Sequence, residues 1–405
     1  MKRSSYQSMN SRFNVNRRDF IKAGSVISAG LLFGTPTLWA QDSTKPEKPP
    51  RPKTNIDEVL KIPKTKYSLP GAFPGKTVEV FDEKSVVDDV PVAERVQLMF
   101  QTGIEKLTGQ DLKQSFKIFF EPSDIIGIKV NPVGPGLIST RLELVDAVID
   151  WLENNGIKRQ NIIIWDRFDY SLTDAGFTRE RFPGVSIEGM QTMDEAAYEG
   201  ITDDSRWLKP DGTHISTENF DKEVYYWADV DGLKDKQYLN QHVFNDRYSY
   251  FGNLLTKKLT KIINVPVFKN TGNGISMATK NIGYAAICNT GRLHQPLFFD
   301  VCTEVLAFPV IRDKLVLNIT DGLRAQYDGG PMPNASFAYS YMTLYFATDP
   351  FALDMVCHNK MVAKRKSMNI KVNEHPMFTE YLRYGEKLGL GVVDAEKTEH
   401  LYVNI

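Results

Sequence analysis

The segment 124–166 constrains the fold more than any other stretch of the chain. Asp124-Ile-Ile-Gly-Ile-Lys-Val130 is a mostly apolar run of strand length, broken at Asn131-Pro-Val-Gly-Pro-Gly136. From Thr140 to Asn154, Leu142, Val145, Ile149 and Leu152 recur at helical spacing, and Asn155-Gly156 ends the run. Ile162-Ile-Ile-Trp165 is a second strand of the buried type. Two such strands so close together, with one helix between them, predict a right-handed β-α-β unit with parallel strands. Ile262–Phe268, Lys314–Ile319 and Thr343–Ala347 read as further interior strands, Thr77–Phe81 as a short strand and 91–107 as a helix. Turns are marked by Pro70-Gly71 and Pro74-Gly75. The polar, turn-rich stretch 188–250, with Tyr225-Tyr226-Trp227, reads as an insertion or cap, and no internal repeat is visible. The expected class is α/β: a mostly parallel sheet with flanking helices and a polar, turn-rich insertion.

At the N-terminus, Asn16-Arg17-Arg18-Asp19-Phe20-Ile21-Lys22 sets a twin-arginine pair ahead of the Gly-, Ala- and Ser-rich run Ala23–Phe33, and Leu38-Trp39-Ala40 closes the segment. That run is about half the ~20 apolar residues a spanning helix needs. It reads as a cleaved export signal cut after Ala40. A basic tail beside a buried helix would leave the paired arginines unexplained. The twin-arginine translocase, which carries folded chains, is then a partner during export, and the expected location is the periplasm. Residues 41–54 (QDSTKPEKPPRPKT) are Pro- and Lys-rich and predict a disordered tether. The expected organisation is a signal over 1–40, a tether over 41–68 and one α/β domain over 69–405.

Residues 1–40 hold six of the 49 Lys and Arg and one of the 50 Asp and Glu, leaving 43 basic against 49 acidic residues, a net charge near −6. Nucleic acids and anionic membranes favour basic surfaces, so neither is an expected partner. No second long apolar run follows, so no stable membrane anchor is expected. Cys288, Cys302 and Cys357 form no C-x-x-C pair, and neither an iron–sulfur cluster nor a zinc knuckle is readable. Spacing cannot choose a disulfide among three thiols, and buried, inert cysteines are the simpler reading. No dinucleotide-binding G-x-G-x-x-G, P-loop, G-x-S-x-G or H-E-x-x-H pattern occurs.

Each apolar run ends in polar residues: Lys129 and Asn131, Asp166-Arg167, Lys269-Asn270, Asp321-Gly322 and Asp349-Pro350. In an open parallel sheet the carboxyl ends of the strands share one edge, where ligands bind. If all five strands are parallel, one pocket collects three carboxylates, two lysines and two amides. That set suits a hard divalent cation, a phosphate or carboxylate ligand, or both. Against this, Asp and Asn are common wherever strands become loops, and Asp349 before Pro350 is a natural N-cap. Asn289-Thr-Gly-Arg292-Leu-His294, beside an apolar helix expected over Ile282–Ile287, is a second candidate for binding an anion and carrying a proton. Asp354 and His358, four apart on the helix expected after Asp349, share a face and suit a common metal or, more simply, a hydrogen bond. His242, Asn245 and Asp246 in the insertion carry little weight. Tyr327-Asp-Gly-Gly-Pro331 is a tight turn.

In order, I-K-V-N-P-V-G (128–134), I-I-W-D-R (163–167), N-V-P-V-F-K-N (264–270), K-N-I-G-Y (280–284), N-T-G-R-L-H (289–294), I-T-D-G (319–322), Y-D-G-G-P (327–331) and D-P-F-A-L-D (349–354) resemble the domain-of-unknown-function 362 family. With the early P-G-x-x-P-G (70–75), the resemblance is to that family's exported, twin-arginine branch and covers about Leu69 to Gly391. The family has no general assigned reaction. Many relatives carry ferredoxin-type cysteine clusters, which this chain lacks, so that redox link is not carried over. The resemblance directs attention to Lys129, Asn131, Asp166, Lys269, Lys280, Asn281, Asn289, Arg292, His294, Asp321, Asp349 and Asp354.

The leading expectation is an enzyme acting on a small anionic substrate, its reaction class unreadable. His294, Asp321 and Lys129 would form the catalytic set, with His294 as proton carrier. Asn131, Lys269, Asn270, Lys280, Asn281, Asn289 and Arg292 would bind the substrate. Asp166, Asp321, Asp349 and Asp354 would hold a divalent cation. The alternative is a non-catalytic carrier of a small anion or metal. A cofactor-loaded redox protein ranks third, motivated by the export route alone.

Overall fold

Alternation of side chains across two buried faces builds the central sheet. The structure, a computed structural model, describes residues 51–192, 209, 213–230, 243–244, 247–294 and 297–405. All of them belong to one unit, Lys45–Ile405. Its strands are β1 (Lys76–Phe81), β2 (Val86–Val87), β3 (Val90–Pro91), β4 (Ile126–Val130), β5 (Ile162–Phe168), β6 (Ser186–Gln191), β7 (Phe220–Trp227), β8 (Tyr248–Gly252), β9 (Lys261–Val265), β10 (Val267–Thr271), β11 (Gly274–Ile275), β12 (Leu315–Gln326), β13 (Ala338–Ala347) and β14 (Glu399–Asn404). The main sheet runs β14-β1-β13-β12-β9-β4-β5-β6, with β10 continuing along β12 beyond β9. Only β13 opposes the common direction of that path. The sheet is therefore α/β and mostly parallel, as expected.

Helices cover both faces. Ile126, Ile128, Ile162, Ile164, Ile263 and Leu317 pack against α2 (Ala93–Thr108), α3 (Leu112–Phe119) and α4 (Leu142–Asn154). Trp151 of α4 is buried among Phe100, Phe116, Phe119 and Phe120, and its Nε1 donates to Leu112 O at 2.9 Å. Burying one such large side chain is worth about 1.5–3 kcal/mol. The alternate residues Ile163, Trp165 and Ile262 face the other layer. That layer holds α6 (Ala278–Gly283), α7 (Asp300–Glu304), α8 (Pro309–Arg312) and α10 (Met377–Lys387), and α9 (Pro350–Ser367) packs beside β10. Two short helices, α1 (Ile56–Val59) and α5 (Asp169–Asp174), complete the set used below.

Several boundaries differ from expectation for identifiable reasons. Pro266 lacks the N–H a continuous ladder requires, and Ile262–Phe268 divides there into β9 and β10. The run Lys314–Ile319 continues to Gln326 through an irregularity after Gly322, so Asp321 lies within a strand rather than at its end. Thr343–Ala347 belongs to the reversed β13, and its carboxyl end therefore lies at the opposite edge of the sheet. The helix expected over Ile282–Ile287 ends at Gly283. Within 188–250, β6 joins the main sheet, while β7 and β8 pair as a separate antiparallel hairpin. His242, Asn245 and Asp246 lie outside the described residues, as do residues 1–50.

Within the segment expected as a tether, Ile56 and Val59 are anchored, while residues 60–66 are exposed. Ile56 and Val59 of α1 are buried in the core, and Thr54 bridges to Ala228 of the cap. Arg312 donates to Ile62 O at 3.0 Å and Pro63 O at 2.8 Å. At these points two apolar anchors and a buried guanidinium that satisfies the backbone hold the otherwise Pro- and Lys-rich segment to the domain. Cys288, Cys302 and Cys357 are buried thiols.

Candidate functional site

One register row gives the site its floor. Trp165 of β5, Lys129 of β4, Asn264 of β9 and Asn318 of β12 are cross-strand neighbours and so project to the same face. This is the face on which α6 packs, and α6 carries Lys280 and Asn281. Asp354 of α9 fixes α6 in place by accepting from Ala278 N at 2.8 Å, Thr279 N at 2.9 Å and Thr279 Oγ1 at 2.6 Å. These are orphan donors of a helix N-terminus, satisfied by a side chain from another helix.

A continuous chain of polar contacts follows. Lys129 Nζ sits 2.6 Å from Asp166 Oδ1 and donates to Val130 O at 2.7 Å and Asn281 Oδ1 at 3.1 Å, which uses all three of its protons. Asn131 Nδ2 also donates to Asn281 Oδ1, at 3.1 Å, and Asn131 Oδ1 accepts from Lys269 Nζ at 2.9 Å. Asn281 Nδ2 donates to Asn264 Oδ1 at 2.8 Å, and Asn264 Nδ2 donates to Asn318 Oδ1 at 2.9 Å and Ala278 O at 3.0 Å. Such a network is worth most when every member is satisfied. The asparagines are satisfied; the lysines differ from one another.

Lys129 is framework. Lys269, 1% exposed, has a single acceptor among the described residues, Asn131 Oδ1. Half-buried Lys280 has no hydrogen bond or ion pair among the described residues, and its Nζ lies 5.3 and 5.5 Å from the ring centroids of Tyr284 and Phe298. Burial lowers the pKa of all three amines. For Lys129 the adjacent Asp166 opposes that effect. For Lys269 burial, then Lys280, and also Lys129, push it down to about 7 against the pull of Asp166. Arg167 extends the basic rim: its Nε donates to Gln191 Oε1 at 3.2 Å and its Nη1 to Thr290 Oγ1. His294 Nδ1 lies 2.9 Å from Thr290 O, which fixes the proton of the neutral ring on Nδ1. Burial, then Lys280, holds that imidazole down to about 4, so it is uncharged at neutral pH.

The strand ends thus bring together Lys129, Asn131, Asp166 and Lys269, and α6 adds Lys280 and Asn281. His294 lies at the same rim. The carboxylates expected to hold a cation do not join them. Asp321 accepts from Arg141 N at 2.7 Å and Leu323 N at 3.0 Å, pinning the β4–α4 loop to β12. Asp349 lies beyond the reversed strand and accepts from Phe351 N, Ala352 N, Gly75 N and Val392 N, the N-cap role foreseen for it. Burial raises Asp321 and Asp354 to about 6 and Asp349 to about 7. Among the described residues, no three His, Cys, Asp or Glu side chains are placed to hold one ion. Asp354 turns to α6 and not to His358, whose Nδ1 is buried without a partner among the described residues.

Three expected ligand residues serve the scaffold. Asn270 accepts from Gly330 N at 2.9 Å, and a Cβ at Gly330 would lie 2.2 Å from Asn270 O, so the 327–331 turn requires glycine there. Asn289 accepts from Val243 N and Phe244 N. Arg292 donates to Ala228 O at 3.3 Å and Ser249 Oγ at 3.0 Å, holding the cap hairpin. Sequence reasoning passed over Asn264 and Asn318, although an amide inside an otherwise apolar strand was the available signal. It also passed over His214, which is 1% exposed, accepts from Ser216 N on Nδ1 and leaves Nε2 buried without a partner among the described residues. No local pattern marks it.

No curated protein and no solved structure matches the chain. The profile described as "Domain of unknown function (DUF362)" matches residues 126–359, more than half of the sequence. That span opens at the first residue of β4, closes within α9, and contains every member of the lysine–asparagine network. The chain belongs to the DUF362 family.

Proposed function

We propose that this is an exported protein that binds a small anionic ligand at the sheet edge and acts on it through the lysines gathered there. The observation that carries the reading is the charge imbalance: Lys129 holds Asp166, whereas Lys269 and Lys280 have no ion pair among the described residues. A buried ammonium without a counter-ion is costly, and an anion with several acceptor oxygens removes that cost. Arg167 and His294 border the same region. An amine titrating near neutrality is what acid–base or nucleophilic chemistry requires, and this supports an enzyme. A divalent cation finds less support, because Asp321, Asp349 and Asp354 are each engaged by backbone donors in separate places.

Thermal unfolding in sulfate, phosphate or pyruvate at low ionic strength tests the ligand class. An anion at a hundred times its Kd stabilises by about 2.7 kcal/mol. That gain is expected in the wild type and absent in the Lys269→Met/Lys280→Met variant. Equal stabilisation of both proteins, or none by any anion, contradicts the reading.

Export rests on the twin-arginine pair. Replacing both residues, Arg17→Lys with Arg18→Lys, is expected to leave uncleaved precursor in the cytoplasm on cell fractionation. Undiminished export of that variant would count against the route.

A further inference from the structure

We infer that Lys269 forms an imine with its substrate, and that the substrate is a small carboxylate bearing an adjacent carbonyl group, a 2-oxo acid. The inference rests on the anion site proposed above and adds a reaction to it. The three amines of the cluster have distinct roles. Lys129 has no proton to spare for a ligand. Lys280, half-buried and without a hydrogen bond or ion pair among the described residues, is the cation left to hold a carboxylate. Lys269 donates one N–H to Asn131 Oδ1, which fixes the amine and leaves its lone pair directed away from that bond. It is shielded from water, and Lys280 and Lys129 both disfavour its charged form. With its pKa down at about 7, a large fraction is free amine at neutral pH, as a nucleophilic lysine must be. A substrate that meets both amines needs a carboxylate for Lys280 and a carbonyl for Lys269, and a 2-oxo acid is the smallest molecule that carries the two groups.

The step balances without an oxidant or reductant. The amine lone pair bonds to the carbonyl carbon while the C=O π pair moves to oxygen. The nitrogen loses a proton and the oxygen gains one, giving a carbinolamine. Solvent supplies one further proton, the C–O bond breaks, water leaves and a C=N bond forms. The resulting iminium carries its positive charge beside the substrate's carboxylate.

The test is reductive trapping: the full mature chain is incubated with pyruvate and sodium cyanoborohydride, digested and mapped by mass spectrometry. A reduced adduct confined to Lys269 is expected, with trapping that rises through about pH 7. The charged groups facing Lys269 are Lys280 on α6, Lys129 on β4 and Asp166 on β5. Lys280→Gln removes one repelling cation, so the half-point is expected at higher pH in that variant. Stabilisation by pyruvate without an adduct at Lys269, or adducts spread over surface lysines, overturns the imine and leaves the anion site intact. Binding of sulfate without any binding of pyruvate overturns it equally. Failure of every anion to bind removes the underlying site as well. Because the adduct is mapped on the wild-type protein, the result does not depend on a variant folding.

Discussion

Asp166→Ala is expected to destabilise the fold by about 3–5 kcal/mol, because it strands the buried Lys129 ammonium without its carboxylate. The effect is large because Lys129 is at the centre of the floor. Its other two protons bind Val130 O and Asn281 Oδ1, so the side chain cannot swing to water without opening the contact between β4 and α6. The variant's one escape is to deprotonate Lys129. A lysine whose folded pKa is lowered loses stability as the pH falls from its unfolded value through its folded one. The deficit should therefore be smaller near pH 10 than at pH 7. Urea unfolding at both pH values checks the size and the sign together. A loss below about 1 kcal/mol at pH 7, in the range of a surface ion pair, would mean that Lys129 is not held as described.

Lys269→Met and Lys280→Met are each expected to weaken anion binding roughly 10- to 100-fold, since a hydrogen bond to a charged group is worth about 1.5–3 kcal/mol. The two losses need not add, because each lysine disfavours the charge of the other. In the absence of ligand the sign reverses for Lys269. Its folded pKa is depressed, so it contributes fully to stability only above its unfolded pKa, near 10.5, and that contribution is lost as the pH falls through about 7. Free Lys269→Met should accordingly match the wild type in alkali and exceed it at pH 6. A variant that binds less and folds better is the signature of a residue kept for a ligand.

The local part of the fold was legible, and the non-local part was not. Leu142, Val145, Ile149 and Leu152 declare α4, and the apolar runs beside them declare β4 and β5, because periodicity is a property of neighbouring residues. Strand direction is not. Nothing within Thr343–Ala347 says that β13 runs backwards, and that reversal carries Asp349 to the far edge. Asp321 was misplaced for a related reason: its strand continues past the polar pair that looked like a stop. Asp354 and His358 share a helical face, yet Asp354 is taken by the N–H groups of α6, a partner about 75 residues away in sequence. Lys129, Asn131, Asp166 and Lys269 were found because they end parallel strands. Lys280 and Asn281 came only from the family resemblance, since α6 reaches the row through a tertiary contact.

The most direct measurement is isothermal calorimetry of sulfate binding in two buffers of different ionisation enthalpy, at pH 8 and at pH 6. Sulfate does not titrate in this range, so any proton exchanged belongs to the protein. An anion drawn to Lys269 must recharge an amine that is mostly neutral at pH 8. Uptake close to one proton is expected at pH 8, little at pH 6, and none at either pH in Lys269→Met. Binding without proton uptake at pH 8, or uptake that survives Lys269→Met, would contradict an anion site built on this lysine.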